Sequence, residues 1–563
     1  MSTLLRSFLL NGLLLGSGLA RAQAPAWQSA VPVASAANGA YTVTATAPDA
    51  TGANVYVAGS FTGTVALGSS LLTSYGLADA FVGKWNVASR SFAWVQRMGG
   101  AANDQALALG VSGANVYVAG VFANAANFGG TTVSTNGAAD GYVAKFVDAG
   151  TSAGVAWVQA TGGANEDRAT AVAVSGTSVY VAGTFRSPSM ALGSITLNNP
   201  TATGGTAGLA HCFVAKLADA GTRSTFGWAR ANGGNAGDDQ VAALAVSGTN
   251  VYMAGDFVGN IPFGTTTLSS NGGRDAYVAK LVDGGTNTAF AWAKNAGSTG
   301  PDQATALAVS GSNVYVAGSF SGLAVFDALG LVSAGTVNAF VARLTDAGLS
   351  SAFTWAQQAG GTASDQATAL AVSGSSVYMA GAFSSPTAAF GSIVLNNTSP
   401  GGRATDVFVA RLTDTGTIGN YVWAQQAGGA GNDQAGGLSL AGTTLYVSGS
   451  AVPPATFGSV VIPSGTATTV GFLASLAAAP LATRAAELGG IELFPSPAHA
   501  TATVRAPVGA VLTVLDALGR PVRTCPATAS PTTVLNLTGL APGVYAVRIS
   551  AGARTATGRL VVE

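Results

Sequence analysis

The chain has 563 residues, in which 24 Lys+Arg balance 24 Asp+Glu and only 9% are charged. A net charge of zero removes the electrostatic case for DNA, RNA or an anionic membrane as partner, all of which favour basic surfaces. Abundant Gly, Ala, Ser, Thr and Val, with few long charged helix formers, favour strands and tight turns over helices.

The first residues read as an export signal, residues 1–22. Arg6 supplies the positive start, Ser7 to Leu19 the apolar stretch, and Ala20-Arg21-Ala22 a small-x-small cleavage site before Gln23. That stretch is too short for a membrane span, and no later segment reaches ~18 uninterrupted apolar residues, so the mature protein is expected in solution outside the cytoplasm. Cys212 and Cys525 lie in different regions. A core of this size needs no disulfide framework, and two free thiols are expected.

From here a phrase close to Val-Tyr-Val-Ala-Gly recurs, with its tyrosine at Tyr56, Tyr117, Tyr180, Tyr252, Tyr315, Tyr378 and Tyr446, at gaps of 61 to 72 residues. One copy resolves the unit. Ala304 to Val309, a Ser310-Gly311 turn and Val314 to Gly318 make one hairpin. After a variable polar stretch, Ala339 to Leu344, the turn Asp346-Ala347-Gly348 and Phe353 to Gln357 make a second. Four short strands per repeat is the pattern of β-propeller blades. The last strand carries Trp94, Trp157, Trp228, Trp292, Trp355 or Trp423. The final repeat ends on Gly471-Phe472-Leu473-Ala474-Ser475 with no tryptophan strand, whereas Ala26-Trp27-Gln28 stands alone at the start. The bookkeeping closes if Trp27 completes the last sheet against the Phe472 strand, which predicts an all-β, seven-bladed propeller over residues 23–479 sealed by its N-terminal strand.

The phrases VYVAGSF, AFVAKL or AFVARL, WAQQAGG and DQATALAVSG, in fixed order, resemble the bacterial SBBP-type β-propeller repeat. That resemblance implies a propeller and no defined reaction. After a linker, residues 480–489, residues 490–563 form a different module. Its phrases are Leu493-Phe-Pro-Ser-Pro497, Val511 to Arg520, Leu535 to Ile549 and Gly558 to Val562. Alternating strands with Gly and Pro turns predict a small immunoglobulin-like β-sandwich. The set resembles the A-type C-terminal sorting domain of the type IX secretion system, with Ser496 departing from the usual Pro-Asn-Pro opening. The resemblance implies the secretion machinery as partner, passage across the outer membrane, and release or attachment at the cell surface.

Chemistry-bearing residues are repetitive. A Gly-rich acidic loop follows each tryptophan strand, as in Gly99 to Asp104, Gly162 to Asp167 and Gly428 to Asp433. A calcium roll needs tandem nine-residue copies, and these are a whole repeat apart, so they read as turn aspartates and no metal or cofactor is expected, with a calcium-stabilised structural array as the alternative. Asp104, Asp167, Asp239, Asp302, Asp365 and Asp433 each lie thirteen residues before a repeat tyrosine. The preceding strand always carries a cation: Lys84, Lys145, Lys216, Lys280, Arg343 or Arg411. At the closing junction the cation place holds Ser475 and the acid place, counted from Trp27, holds Asn38. Joint loss suggests ion pairs Lys84–Asp104, Lys145–Asp167, Lys216–Asp239, Lys280–Asp302, Arg343–Asp365 and Arg411–Asp433, because a buried charge left alone costs on the order of 3–5 kcal/mol.

Catalytic machinery is thin. His211, at a turn where it is expected to be solvated, and His499 are the only histidines, and neither has the company of a metal set. No Gly-x-Ser-x-Gly elbow or P-loop appears. The variable stretches Arg186 to Leu209 and Ser384 to Thr405, longer than Ser321 to Val337, map to one face of a repeat scaffold, commonly the binding face. The expectation is a non-enzymatic secreted or surface scaffold with a glycan or protein ligand. The alternative is an extracellular glycosidase or lyase with its site in the axial channel, marked by polar residues that break the repeat.

Overall fold

The computed structural model describes residues 24–33, 35–36, 39–202, 206–399, 404–465, 468–478, 492–516, 519–526, 529–551 and 554–563. The export signal and linker expected from sequence, and Asn38, lie outside them. The described residues are all-β, without a helix, and the chain divides into two units, Met1–Ala478 and Ala479–Glu563.

The repeat folds as the sequence predicts. Gln303–Ser310 pairs with Asn313–Phe320, which pairs with Asn338–Asp346, which pairs with Ser351–Gly360, all antiparallel. The two middle strands are buried nearly throughout, so their sequences are continuous small apolar runs rather than alternating ones. A neighbouring sheet covers each face. The glycine of the VYVAG phrase is demanded by close approach: a Cβ on Gly318 would sit 1.8 Å from the Gln303 carbonyl oxygen.

Seven first strands lie side by side: Tyr41–Pro48, Gln105–Ser112, Asp167–Ser175, Gln240–Ser247, Gln303–Ser310, Asp365–Ser373 and Gln434–Ala441. Each touches the next, and the last touches the first. Threonine hydroxyls stitch neighbours together, as Thr44 donates to the Ala106 carbonyl, Thr305 to Ala367 and Thr368 to Ala435.

The Trp27–Pro32 strand pairs with Val470–Ala477, with Trp27 opposite Leu476 and Pro32 opposite Phe472. Trp27 packs edge-on against Phe457 at 5.1 Å, and Phe457 against Phe472 at 4.9 Å. The register corrects one expectation. Trp94 lies opposite Lys84 and Trp355 opposite Arg343, whereas Ser29, not Trp27, lies opposite Ser475. Trp27 takes the place of Phe353, which sits opposite Leu344 and packs on Phe326. The acid place is likewise Tyr41, not Asn38, because Tyr41 pairs with Phe61 as Asp365 pairs with Phe383.

The variable stretches are not free loops. They contain hairpins such as Leu323–Phe326 with Leu329–Val332 and Thr387–Phe390 with Ile393–Asn396. Several pair with the outer strand of the preceding repeat, as Phe390 with Ala359 and Thr456 with Gly428. Their phenylalanines, Phe326, Phe390 and Phe457, are buried at these junctions.

In the second unit, Leu493–Phe494, Thr501–Arg505 and Thr532–Asn536 form one antiparallel sheet. Pro521–Cys525, Val511–Leu515, Gly543–Ala551 and Arg554–Val562 form another. Val504, Leu535, Leu512, Val514, Val547, Ile549 and Leu560 share one core.

Candidate functional site

The repeated cations sit on the third strand of each repeat, at its edge nearest the next repeat, and they do not meet the acids expected. Lys84 pairs with Asp148 at 2.7 Å, Lys145 with Asp219 at 2.6 Å, Lys216 with Asp283 at 2.6 Å, Lys280 with Asp346 at 2.7 Å and Arg343 with Asp414 at 3.1 Å. The pairs Lys84–Asp104, Lys145–Asp167, Lys216–Asp239, Lys280–Asp302, Arg343–Asp365 and Arg411–Asp433 are therefore not formed. The partner is the aspartate of the Asp-x-Gly turn in the following repeat. That turn projects back across the junction, whereas the other acid lies at the far end of its strand.

Each such aspartate is held by a complete set of donors. Asp346 accepts the Tyr252 hydroxyl at 2.6 Å, the Lys280 ammonium at 2.7 Å, the Trp292 indole at 3.0 Å and the Gly348 amide at 2.9 Å. Burial opposes its charge, but Lys280, Tyr252 and Trp292 hold its carboxyl below the usual range. In Asp283, against the same burial, Lys216, Tyr180 and Trp228 bring it down to about 2. The tyrosine, cation and tryptophan that recur in sequence are thus one clamp. Two junctions lack it. Arg411 turns to the Ser376 hydroxyl, Tyr378 donates to the Ala478 carbonyl, and the Trp423 indole nitrogen has no partner. At the next junction Ser475 bonds Ser29 at 2.6 Å, in a polar cavity of about 170 Å³ that Val87 also lines.

The other repeated acids are buried anchors for backbone amides. Asp104 accepts the Gly100 and Ala123 N–H groups, and Asp433 those of Gly429 and Val452. Burial pushes Asp104 up to about 6 and Asp433 to about 7. Asp239 does the same for Gly234 and Val258 and is raised to about 6. Asp302 accepts from Ser298 and Ser321, and Asp365 from Gly361, Ser384 and Ser385.

Where the seven first strands meet, they line a cavity of about 200 Å³, walled by Thr44, Leu107, Thr170, Ala242, Ala306, Ala369 and Gly436 among others. At the start of those strands, equivalent places hold Gln105, Gln240, Gln303, Gln366 and Gln434, and the pattern is broken by Arg168 and Thr42. Gln303, Gln366 and Gln434 line a second cavity of about 400 Å³ with Ser319, Ser384 and Thr405. Among the described residues the carboxamides of those three glutamines make no hydrogen bond.

The third and fourth repeats carry a run of charge that the repeat does not explain, with Asp256 opposite Gln240. Arg168 pairs with Glu166 at 2.5 Å, Arg186 with Asp238, and Arg274 with Asp256. Burial opposes the Asp238 charge, but the Ala210 amide and Arg186 lower its carboxyl; burial raises Asp256 in spite of Arg274. This cluster was missed in sequence because its members come from different repeats. Comparing equivalent places would have found it, since Arg168 stands among glutamines.

His211 is not solvated. It is 3% exposed, its Nε2 lies 3.0 Å from the Gly234 carbonyl, and burial lowers its pKa against that contact. His499 is exposed, 3.8 Å from Glu563. Cys212 is buried and, like Cys525, free.

Residues 492–563 match the family described as the secretion system C-terminal sorting domain. The protein is exported by the type IX secretion system to the cell surface or released there. The sorting domain engages that machinery, and no helix among the described residues is long and apolar enough to cross a membrane. No functionally curated protein matches the sequence. Similar solved structures include the quinohemoprotein alcohol dehydrogenase from Comamonas testosteroni, at 9% identity and TM-score 0.37, covering 84% of this chain and 79% of that one. A protein from Lactobacillus plantarum aligns at 13% identity and TM-score 0.35, covering 74% and 98%. Trypanosoma rangeli sialidase in complex with sialic acid aligns at 9% and 0.29, covering 81% and 83%.

Proposed function

We propose that residues 23–479 form a seven-bladed β-propeller of the SBBP type, sealed by the Trp27 strand, which serves outside the cell as a non-enzymatic binding or structural scaffold. Residues 1–22 act as its export signal, 480–489 as a linker and 490–563 as the sorting domain, an immunoglobulin-like sandwich. The side-by-side contacts of the seven first strands and the pairing of Trp27–Pro32 with Val470–Ala477 support the ring.

The observation that carries the functional reading is the employment of the acids. Asp148, Asp219, Asp283, Asp346 and Asp414 are consumed by clamps, and Asp104 and its equivalents anchor amides. A glycosidase needs one acid and one base with distinct environments, and repeated scaffolding acids do not supply them. The ligand surface is the mouth ringed by Gln303, Gln366 and Gln434, whose free carboxamides suit the hydroxyl and amide groups of a glycan or protein.

One observation favours the alternative, an extracellular glycosidase or lyase: the charged run of Arg168, Arg186 and Arg274 breaks the repeat at this mouth. Each acid within it is already neutralised by an arginine, which fits binding better than proton transfer. The test is a screen of the full chain against polysaccharides and surface fractions. Binding without turnover is expected; product formation abolished by E166Q or D256N would overturn the scaffold reading.

A further inference from the structure

At five junctions a carboxylate lies against the repeat tyrosine, as Asp148 does against Tyr56 at 2.7 Å and Asp346 against Tyr252 at 2.6 Å. The seam between the last repeat and the first keeps the tyrosine, Tyr446, and changes everything around it. Val87 stands in the acid's place, since its amide bonds the Ala53 carbonyl as that of Asp346 bonds Ser312. Ser475 stands in the cation's place and Ser29, opposite it, in the tryptophan's. Tyr446 therefore lacks the tryptophan that the other six repeat tyrosines have at 6.0 to 6.3 Å. Among the described residues its hydroxyl makes no hydrogen bond.

These exchanges open the cavity of about 170 Å³, whose polar lining is Gln28, Ser29, Arg90, Thr444, Tyr446 and Ser475. Ser29 and Ser475 share one hydrogen bond at 2.6 Å, so the pair keeps one proton to donate. The side chains of Gln28, Arg90 and Thr444 make no hydrogen bond among the described residues. Two of these residues are departures in their own right. Gln28 occupies the bulge between Trp27 and Ser29, where other outer strands carry Ala93, Ala156, Gly227 or Ala291. Arg90 has a φ of 51°, a left-handed backbone that favours glycine. A large charged side chain kept at such a place points to use of its charge.

The clamps show what fits against this tyrosine. In each of them a carboxylate accepts from a phenol, a cation and neutral donors. The seam cavity gathers the same kinds of donor, with Arg90 as the cation, and no acid. Donors left without an acceptor in such a place are costly. Its apolar wall of Val31, Trp85 and Leu473 suits hydrocarbon rather than a fully oxygenated anion. At about 30 Å³ for each water, the volume corresponds to roughly five or six non-hydrogen atoms. We propose that the seam cavity binds a small free carboxylate of about that size, a three-carbon acid. Its carboxyl lies between Tyr446 and Arg90, in the place of the clamp aspartate, and its carbon chain lies on Val31, Trp85 and Leu473.

The test is calorimetric titration of the full chain at neutral pH and constant ionic strength with sodium propionate and sodium lactate. Propionamide serves as the neutral isostere and inorganic phosphate as the tetrahedral anion. Both acids should bind saturably, one molecule per chain, and raise Tm as their concentration rises. Propionamide and phosphate should bind at least about tenfold more weakly, since each loses a charge-assisted contact or the apolar one. The variant R90G should melt no lower than the parent, because glycine suits that backbone, and should lose at least about tenfold in affinity. Y446F keeps the ring and should lose about two- to tenfold. V87D gives the cavity an acid of its own and should abolish binding. No saturable binding of either acid, equal affinity for propionamide or phosphate, or an affinity unchanged in R90G or V87D overturns the proposal. None of these outcomes bears on whether the mouth binds a ligand.

Discussion

Five junctions between repeats and the two that flank the last sheet are built from the same strands and differ in one chemical device. At the five, an aspartate from one repeat is gripped by tyrosine, cation and tryptophan of the repeat before it. At the other two, Ala478 and Val87 stand in the aspartate's place, and Ser475 replaces one cation. The aromatic packing of Trp27, Phe457 and Phe472 is common to both kinds, since Phe353, Phe326 and Phe340 pack in the same way. The contrast separates what repetition supplies from what joining the chain's two ends requires.

The comparison breaks most sharply at a clamp. D346A leaves Lys280 buried without its acid and should destabilise the protein by about 3–5 kcal/mol in denaturant unfolding. W27A tests the seam, where loss of a packed indole should cost about 3–5 kcal/mol if the aromatic stack holds it; a change under about 1 kcal/mol would show that the strand pairing suffices alone. A smaller effect is expected from pH. The clamp aspartates have lowered pKa values, so their contribution is present above about 3.9 and is lost as pH falls toward about 2 for Asp283. Asp104, Asp140, Asp239, Asp275 and Asp433 are raised to about 6 or about 7, so their contribution is present below about 3.9 and is lost as pH rises through those values. Tm should therefore peak between about pH 4 and 5. The gentlest test repairs the seam. A478D offers Arg411, Tyr378 and Trp423 the acid that they lack, and should stabilise by about 1–2 kcal/mol.

Much of the fold was legible because the period is long and its phrases are strong. Strand content, turn glycines and the need for Trp27–Pro32 to complete the last sheet all follow from residue patterns. The clamp was half legible. Joint loss of charges at the seam was the right signal, but it belongs to Ser475 and Val87, not to Ser475 and Asn38. The partner was hidden because Lys84 reaches Asp148 across a junction, 64 positions away, and period alone says nothing about which acid faces which cation. Asn38 was misplaced because the count began at Trp27, which stands where Phe353 does, and because the run from Ser29 to Tyr41 is two residues longer than that from Trp355 to Asp365.

The partnership of Ser29 with Ser475 spans 446 positions. A strand made among the first must therefore wait, its edge groups unpaired, until nearly the whole repeat array has been synthesised. Contacts of such sequence separation form late and slowly, and a waiting edge is a template for pairing with another chain. The short, Ser- and Pro-bearing strand Trp27–Pro32 is poor material for such mispairing. Its modest length and polarity are what an edge needs when its proper neighbour is the last to arrive.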